Sequence, residues 1–186
     1  MRIILASNSP RRQLLLKCIV RDFTVIGSDA DEAFNLESPS NNVMNAAKSK
    51  ALSIVREKDD LVIGADTTVY MGGKYYNKPV DEKDAEDILK ALNGREHEVY
   101  TGVCIVYKDI VRCFYDKSAV KFNTLSEEFI KDYISSGLPM DKAGAYGIQD
   151  EGIVQCYKGD YTNIMGLPVG KLRKELREML NGKNCC

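Results

Sequence analysis

Leu61-Val62-Ile63-Gly64-Ala65 is a continuous apolar run that leads straight into Asp66-Thr67-Thr68-Val69-Tyr70. An uninterrupted apolar run of this length is typical of a strand covered on both faces, which belongs to an α/β sheet rather than a half-solvated one. Working outward, Arg2 to Ala6 and Phe23 to Ile26 read as strands, separated by a leucine-rich helix that runs to Ile19. That helix has Ser9 as its cap and Pro10 at its first position, a favourable start. Asn42 is expected to cap a helix reaching about Lys58, and Met71-Gly72-Gly73-Lys74 reads as a hairpin turn. Asp81 or Glu82 opens a helix with Ala85, Ile88, Leu89 and Leu92 on one face. Two long strands follow, about Glu98 to Tyr107 and Val111 to Asn123, joined around Lys108-Asp109. Ser126 caps another helix, a strand falls near Ile153 to Tyr157, and a last helix covers about Val169 to Leu180. Strands and helices interleave without repeats. The expected fold is α/β, a mixed, twisted sheet with flanking helices in a single domain over residues 1–186, with two lobes around a cleft.

Composition narrows the function classes. The chain is 44% hydrophobic and 28% charged, enough apolar material for a sizeable core. Its net charge of −1 gives no bulk attraction to nucleic acid or to an anionic membrane, so neither is expected as a partner. Any polyanion must be held by a local cluster of cations. No apolar run approaches a membrane span and no signal-peptide layout is present, so the expectation is a soluble, cytoplasmic protein. The six cysteines form no C-x-x-C pair and are expected to be reduced thiols. The single histidine, His97, has no second histidine to make a metal pair and is expected to be structural.

Four places break the local rules. In Ser7-Asn8-Ser9-Pro10-Arg11-Arg12, two cations fall in the first helical turn, where each opposes the helix dipole by about 0.3–1 kcal/mol. Free amides, the dipole and two guanidiniums make a polyanion site, or else the arginines extend into solvent; the motif alone leaves these evenly matched. Lys50 lies on the inward stripe of Val43, Ala46, Ala47, Ala51, Ile54 and Val55. It either snorkels to the rim or meets an anionic partner in a cleft, and the helix alone does not decide. Asp66 ends the apolar strand, where open α/β sheets form their ligand crevice. A carboxylate there needs a partner, and a general base or Mg²⁺ ligand outweighs a turn cap. In Asn77-Lys78-Pro79 the proline holds Lys78 extended. Acidic partners could come from Asp29, Asp31 and Glu32, whose default is an exposed acidic loop. Cations for phosphates, a metal to neutralise charge and a carboxylate to direct water suit phosphoryl chemistry. Neither a Walker A loop nor a dinucleotide fingerprint is present.

From Ile3 to about Pro168 the chain resembles the Maf family. The resemblance rests on Leu5-Ala6-Ser7-Asn8-Ser9-Pro10-Arg11-Arg12, Lys50-Ala51, Ile63-Gly64-Ala65-Asp66-Thr67, Lys78-Pro79 and Thr101-Gly102-Val103. Its most specific parts are Met140-Asp141-Lys142-Ala143-Gly144-Ala145-Tyr146-Gly147-Ile148-Gln149 and Met165-Gly166-Leu167-Pro168. The resemblance implies a fold related to inosine triphosphatases, an active cleft between lobes and often a homodimer. It implies hydrolysis of a nucleoside triphosphate between its α- and β-phosphates with Mg²⁺ or Mn²⁺. Carried over, Asp66 would activate water and lie near the metal, with Glu32 assisting there. Ser7, Arg11, Arg12, Lys50 and Lys78 would hold the triphosphate, and Arg12, Thr67 and Gln149 match positions tied to nucleotide choice. The segment ending in Gln149 looks like the branch acting on dTTP and UTP. A sister branch acts on 7-methyl-GTP, and a nucleotide-binding regulator of cell division is the rival from another class. One departure is Asn77, where glycine commonly precedes the Lys-Pro pair.

Overall fold

The structure is a computed structural model that describes residues 1–28 and 38–181, the side chain of residue 181 excepted. Among these, seven strands form a mixed sheet: β1 (Ile3–Ala6), β2 (Thr24–Val25), β3 (Leu61–Met71), β4 (Lys74–Tyr76), β5 (Glu96–Tyr107), β6 (Ile110–Phe122) and β7 (Val154–Lys158). Their order is β2-β1-β3-β5-β6-β7, with β4 paired to β3. β1 runs parallel to both β2 and β3, while β3–β4 and β6–β7 are antiparallel. Six α-helices accompany them among the described residues: α1 (Pro10–Lys17), α2 (Pro39–Leu52), α3 (Glu82–Leu92), α4 (Glu127–Ser135), α5 (Tyr161–Met165) and α6 (Val169–Asn181). This is the mixed α/β architecture expected of the sequence. Two short 3₁₀ turns, Leu138–Asp141 and Ala143–Ala145, lie between α4 and β7.

The chain divides into two compact units. Of the described residues, the first comprises 1–28, 38–66, 101–116 and 166–181, the second 67–100 and 117–165. In the first, α2 covers β1, β3 and β5 through a cluster of Ile4, Ala6, Ala47, Ala51, Ile54, Val62, Cys104 and Val106. Two glycines let it come close. A side chain on Gly64 would meet the Ala47 carbonyl oxygen at 2.2 Å, and one on Gly102 would meet the Val43 carbonyl oxygen at 2.3 Å. Only hydrogen fits between helix backbone and sheet at both points.

In the second unit, α3 presents Ala85, Ile88, Leu89 and Leu92, as its spacing predicts, to Val69, Val99, Phe122, Ile130 and Tyr133. Each fully buried Leu or Ile side chain contributes about 1.5–3 kcal/mol by leaving water. Asp81 caps α3 by accepting from the Asp84 amide, and Ser126 caps α4 by accepting from Phe129. His97 is buried here, its Nε2 2.8 Å from the Tyr146 hydroxyl and its ring edge-on to Phe122. That is the structural role expected of it.

Three readings need correction. α2 begins at Pro39 with Ser38 as its cap and stops at Leu52, so Asn42 lies inside the helix and Val55 is exposed. Proline at the first helical position is the better start, and it moves the helix four residues towards the N-terminus. Asp66 does not end its strand. β3 continues to Met71 through Thr67, Thr68, Val69 and Tyr70, the β-branched and aromatic types that favour strands. Finally, Cys104 and Cys113 form a disulfide rather than two free thiols. They lie nine residues apart on adjacent strands joined by Lys108-Asp109, and the turn brings their sulfurs together. Cys18 and Cys156 are free and exposed.

Candidate active site

The site begins with Asp66. Its carboxylate is buried, and Oδ1 accepts a hydrogen bond from Lys50 Nζ at 2.6 Å. The side chains of this ion pair are 12% and 7% exposed, so it is held largely out of water. Strand periodicity explains the meeting. Gly64 and Asp66 are two residues apart and face the same side of β3. Gly64 touches the backbone of α2 at Ala47 and Ala51, and Lys50 precedes Ala51. The helix therefore delivers the ammonium one step along the strand from its own seat. The two rule-breaking residues of the sequence are each other's partners, so the Lys50 ammonium meets an anionic group rather than snorkelling to the rim.

Ser7 and Arg12 form the second group in the same unit. Arg12 donates from Nε to the Gly166 carbonyl at 2.9 Å and from one terminal nitrogen to the Ser7 hydroxyl at 3.2 Å. The Ser7 hydroxyl also accepts from the Ser9 amide, and Ser9 caps α1 by accepting from the Arg12 amide. A guanidinium fixed at both ends is not an arginine extending into solvent. Arg11 is half-buried one position earlier on α1, whose first turn carries no acidic residue. The parallel register pairs Ala6 with Gly64, so Ser7 continues level with Ala65 as β1 ends. Neighbouring strands are about 4.8 Å apart. Asp66 thus lies just past the carboxyl end of its parallel neighbour, where α1 begins with its free amides. What stops at this point is β1, not β3, and the crevice rule applies to that end.

The remaining expected residues belong to the second unit. Thr67, half-buried, follows Asp66 directly and points to the opposite face. Lys78 and Gln149 are exposed. Lys78 is flanked by buried Pro79 and by Asn77, while Gln149 sits in a turn closed by the Asp150 amide donating to the Gly147 carbonyl. Glu32, expected as the second carboxylate near a metal, lies outside the described residues, as do Asp29 and Asp31. Among the described residues no group of three His, Cys, Asp or Glu side chains is placed to hold a metal. A hard cation held by one or two carboxylates and several phosphate oxygens fits this donor set, and Mg²⁺ is bound in that way.

Three contributors escaped the sequence reading. Gly64 and Gly102 seat α2, and the Gly166 carbonyl anchors Arg12. The signal for the first two was a glycine inside each apolar strand, which marks close backbone approach.

The family described as Maf-like protein matches residues 2–179. This chain belongs to the Maf family. Among its curated relatives is the dTTP/UTP pyrophosphatase of Aquifex aeolicus strain VF5, 47% identical over 182 residues and covering 96% of each chain. A protein of the same name from Bacillus cereus strain AH187 is 44% identical and covers 95% of each. A third, from Thermosipho africanus strain TCF52B, is 47% identical over 92% of the Maf chain and 90% of its own. A solved structure described as a HAM1 protein from Coxiella burnetii overlaps 98% of the Maf chain and 99% of its own, at TM-score 0.49 and 13% identity. So slight a likeness carries no weight for fold or function.

Proposed function

We propose that this chain is a nucleoside triphosphate pyrophosphatase. As a single Maf-like domain over residues 1–186 it hydrolyses dTTP and UTP to the monophosphate and pyrophosphate. The observation that carries the reading is the buried Asp66 carboxylate held by the Lys50 ammonium, next to an arginine-bearing helix start. The names of the three relatives, all of which align over almost the full chain, support the choice of nucleotide.

In this mechanism Asp66 accepts a proton from the attacking water. Lys50 fixes one carboxylate oxygen, so the rotamer of the base is set before substrate arrives. The water oxygen attacks the α-phosphorus, the α–β bridging bond breaks and pyrophosphate departs with the bonding pair. Arg12, oriented by Ser7 and Gly166, binds phosphate oxygens, and Arg11 adds charge at the α1 amides. Lys78 contacts the leaving phosphates, and Thr67 and Gln149 read the base. A divalent cation, Mg²⁺ or Mn²⁺, would be held by Asp66, Glu32 and phosphate oxygens and would supply charge neutralisation. No described helix is long and apolar enough to cross a membrane, and the proposed setting is the cytoplasm, where nucleoside triphosphates are plentiful.

The test is to incubate the protein and Mg²⁺ with dTTP, UTP, the purine triphosphates and 7-methyl-GTP and to measure pyrophosphate released. Release from dTTP and UTP with the highest kcat/KM is expected. A preference for 7-methyl-GTP reassigns the substrate, and binding without release from any nucleotide favours a regulator. Light scattering reads whether the homodimer implied by the family forms.

A further inference from the structure

Lys78 presents a difficulty for the mechanism just proposed. Its side chain is exposed, and a lysine with four rotatable bonds aims its ammonium no better than its backbone is held. On the downstream side Pro79 is buried and keeps Lys78 extended. On the upstream side β4 has already ended at Tyr76, whose pairing with Val69 is the last rung of the β3–β4 ladder. The next rung would join Thr68 to Asn77. In its place the Thr68 hydroxyl donates to Asn77 Oδ1 at 2.9 Å, a bond made between side chains where the backbone ladder has stopped. Thr68 is fully buried and lies two residues beyond Asp66 on the same strand. Asn77 makes a second tie. Its backbone carbonyl accepts from the Gly144 amide at 3.2 Å. Gly144 has φ +74, and a side chain there would meet Val69 Cγ2 at 2.8 Å, so a glycine is needed for this approach.

We infer that Asn77 is a positioning residue: through Thr68 and Gly144 it fixes the backbone from which Lys78 reaches the triphosphate. This rests on the proposed function only in taking Lys78 as a phosphate ligand. Its role is assigned from its bonds to Thr68 and Gly144. It ties the lysine-bearing segment to the strand that carries Asp66 and to the segment that leads to Gln149.

The experiment measures kcat and KM for dTTP and UTP, together with the melting temperature, in Asn77→Ala, Thr68→Val, Thr68→Ser and Lys78→Ala, and in Asn77→Ala combined with Lys78→Ala. Losing one hydrogen bond should raise KM roughly threefold to tenfold in Asn77→Ala and in Thr68→Val, with kcat little changed. Thr68→Ser keeps the hydroxyl and should behave as wild type. Because Asn77 acts through Lys78, the double variant should be no worse than Lys78→Ala alone. An unchanged KM in both Asn77→Ala and Thr68→Val overturns the inference, as does a double variant showing the full product of both losses. Should Asn77→Ala fail to fold, Thr68→Val removes the same bond and decides the matter. If Lys78→Ala itself leaves KM unchanged, the phosphate-ligand assignment fails and the positioning role fails with it. A raised KM in Lys78→Ala but not in Asn77→Ala or Thr68→Val refutes the positioning role alone.

Discussion

At the scale of the residue, the Lys50–Asp66 pair and His97 hold most of the chemistry that substitution can reach. The pair is largely buried, and removing one member of such a pair leaves an uncompensated charge, at a cost of about 3–5 kcal/mol when burial is complete. Lys50→Ala should therefore lower the melting temperature, and adding Asp66→Asn should restore part of the loss by removing the stranded charge. Thermal unfolding of the two single variants and the double variant measures the coupling, and simple additivity would contradict the pairing. Asp66→Asn alone should reduce pyrophosphate release by at least about 100-fold, the scale of a lost general base, with the fold retained. His97 makes a pH prediction. Burial pushes its imidazole down to about 4, and Nδ1 has no hydrogen-bond partner among the described residues. The folded state favours the neutral ring, so the unfolded chain binds more protons between about 4 and the ordinary value near 6.5. Stability from this residue is then complete above pH 6.5 and is lost as pH falls towards 4, by on the order of 3 kcal/mol. Denaturant melts of His97→Gln should show a flatter pH dependence across that window.

At the scale of the element, α2 is the part that assembles the site, and it does so through contacts that a helical wheel does not contain. Its apolar stripe predicts a buried face, and Val43, Ala47 and Ala51 are fully buried as expected. How closely that face approaches the sheet is set on the other side, by Gly64 and Gly102. A methyl group at Gly64 would collide with backbone atoms of Ala47 and Ala51, which cannot rotate away as a side chain could. Gly64→Ala should cost roughly 1–3 kcal/mol by overpacking, or about 5 °C in melting temperature for a chain of this size. It should also lower kcat by shifting Lys50 from Asp66. A variant with unchanged melting and kinetics would mean that α2 is not seated as described. The elements with strong local signals, such as α3 with its Asp81 cap or the β3–β4 turn at Gly72-Gly73, needed no such help and match their sequence reading.

At the scale of the whole molecule, the stability of each unit comes from its own apolar cluster, and no group of three metal-ligating side chains contributes among the described residues. The metal proposed for the reaction is expected to serve catalysis and not the fold. Chelation with EDTA should abolish pyrophosphate release and leave the melting temperature unchanged, with activity restored by Mg²⁺ or Mn²⁺. A large drop in melting temperature on chelation would show a structural metal instead. The net charge of −1 fits the proposal that a few placed cations, rather than a basic surface, meet the triphosphate.

Periodicity, capping and composition in the sequence determine the alternation of most strands and helices, the mixed α/β class, most element boundaries to within a few residues and the inward face of α3. Those signals are local, carried by residues within one or two turns of each other. The motif residues Ser7, Arg12, Lys50 and Asp66 also stand out locally, because each violates the pattern around it. Which of them meet is a different matter. That Lys50 reaches Asp66 depends on α2 resting on Gly64, and that Arg12 is fixed depends on a carbonyl 154 residues away. The Cys104–Cys113 bond and the continuation of β3 past Asp66 likewise come from strand pairing. Such contacts join residues distant along the chain, so only the packed tertiary structure decides them.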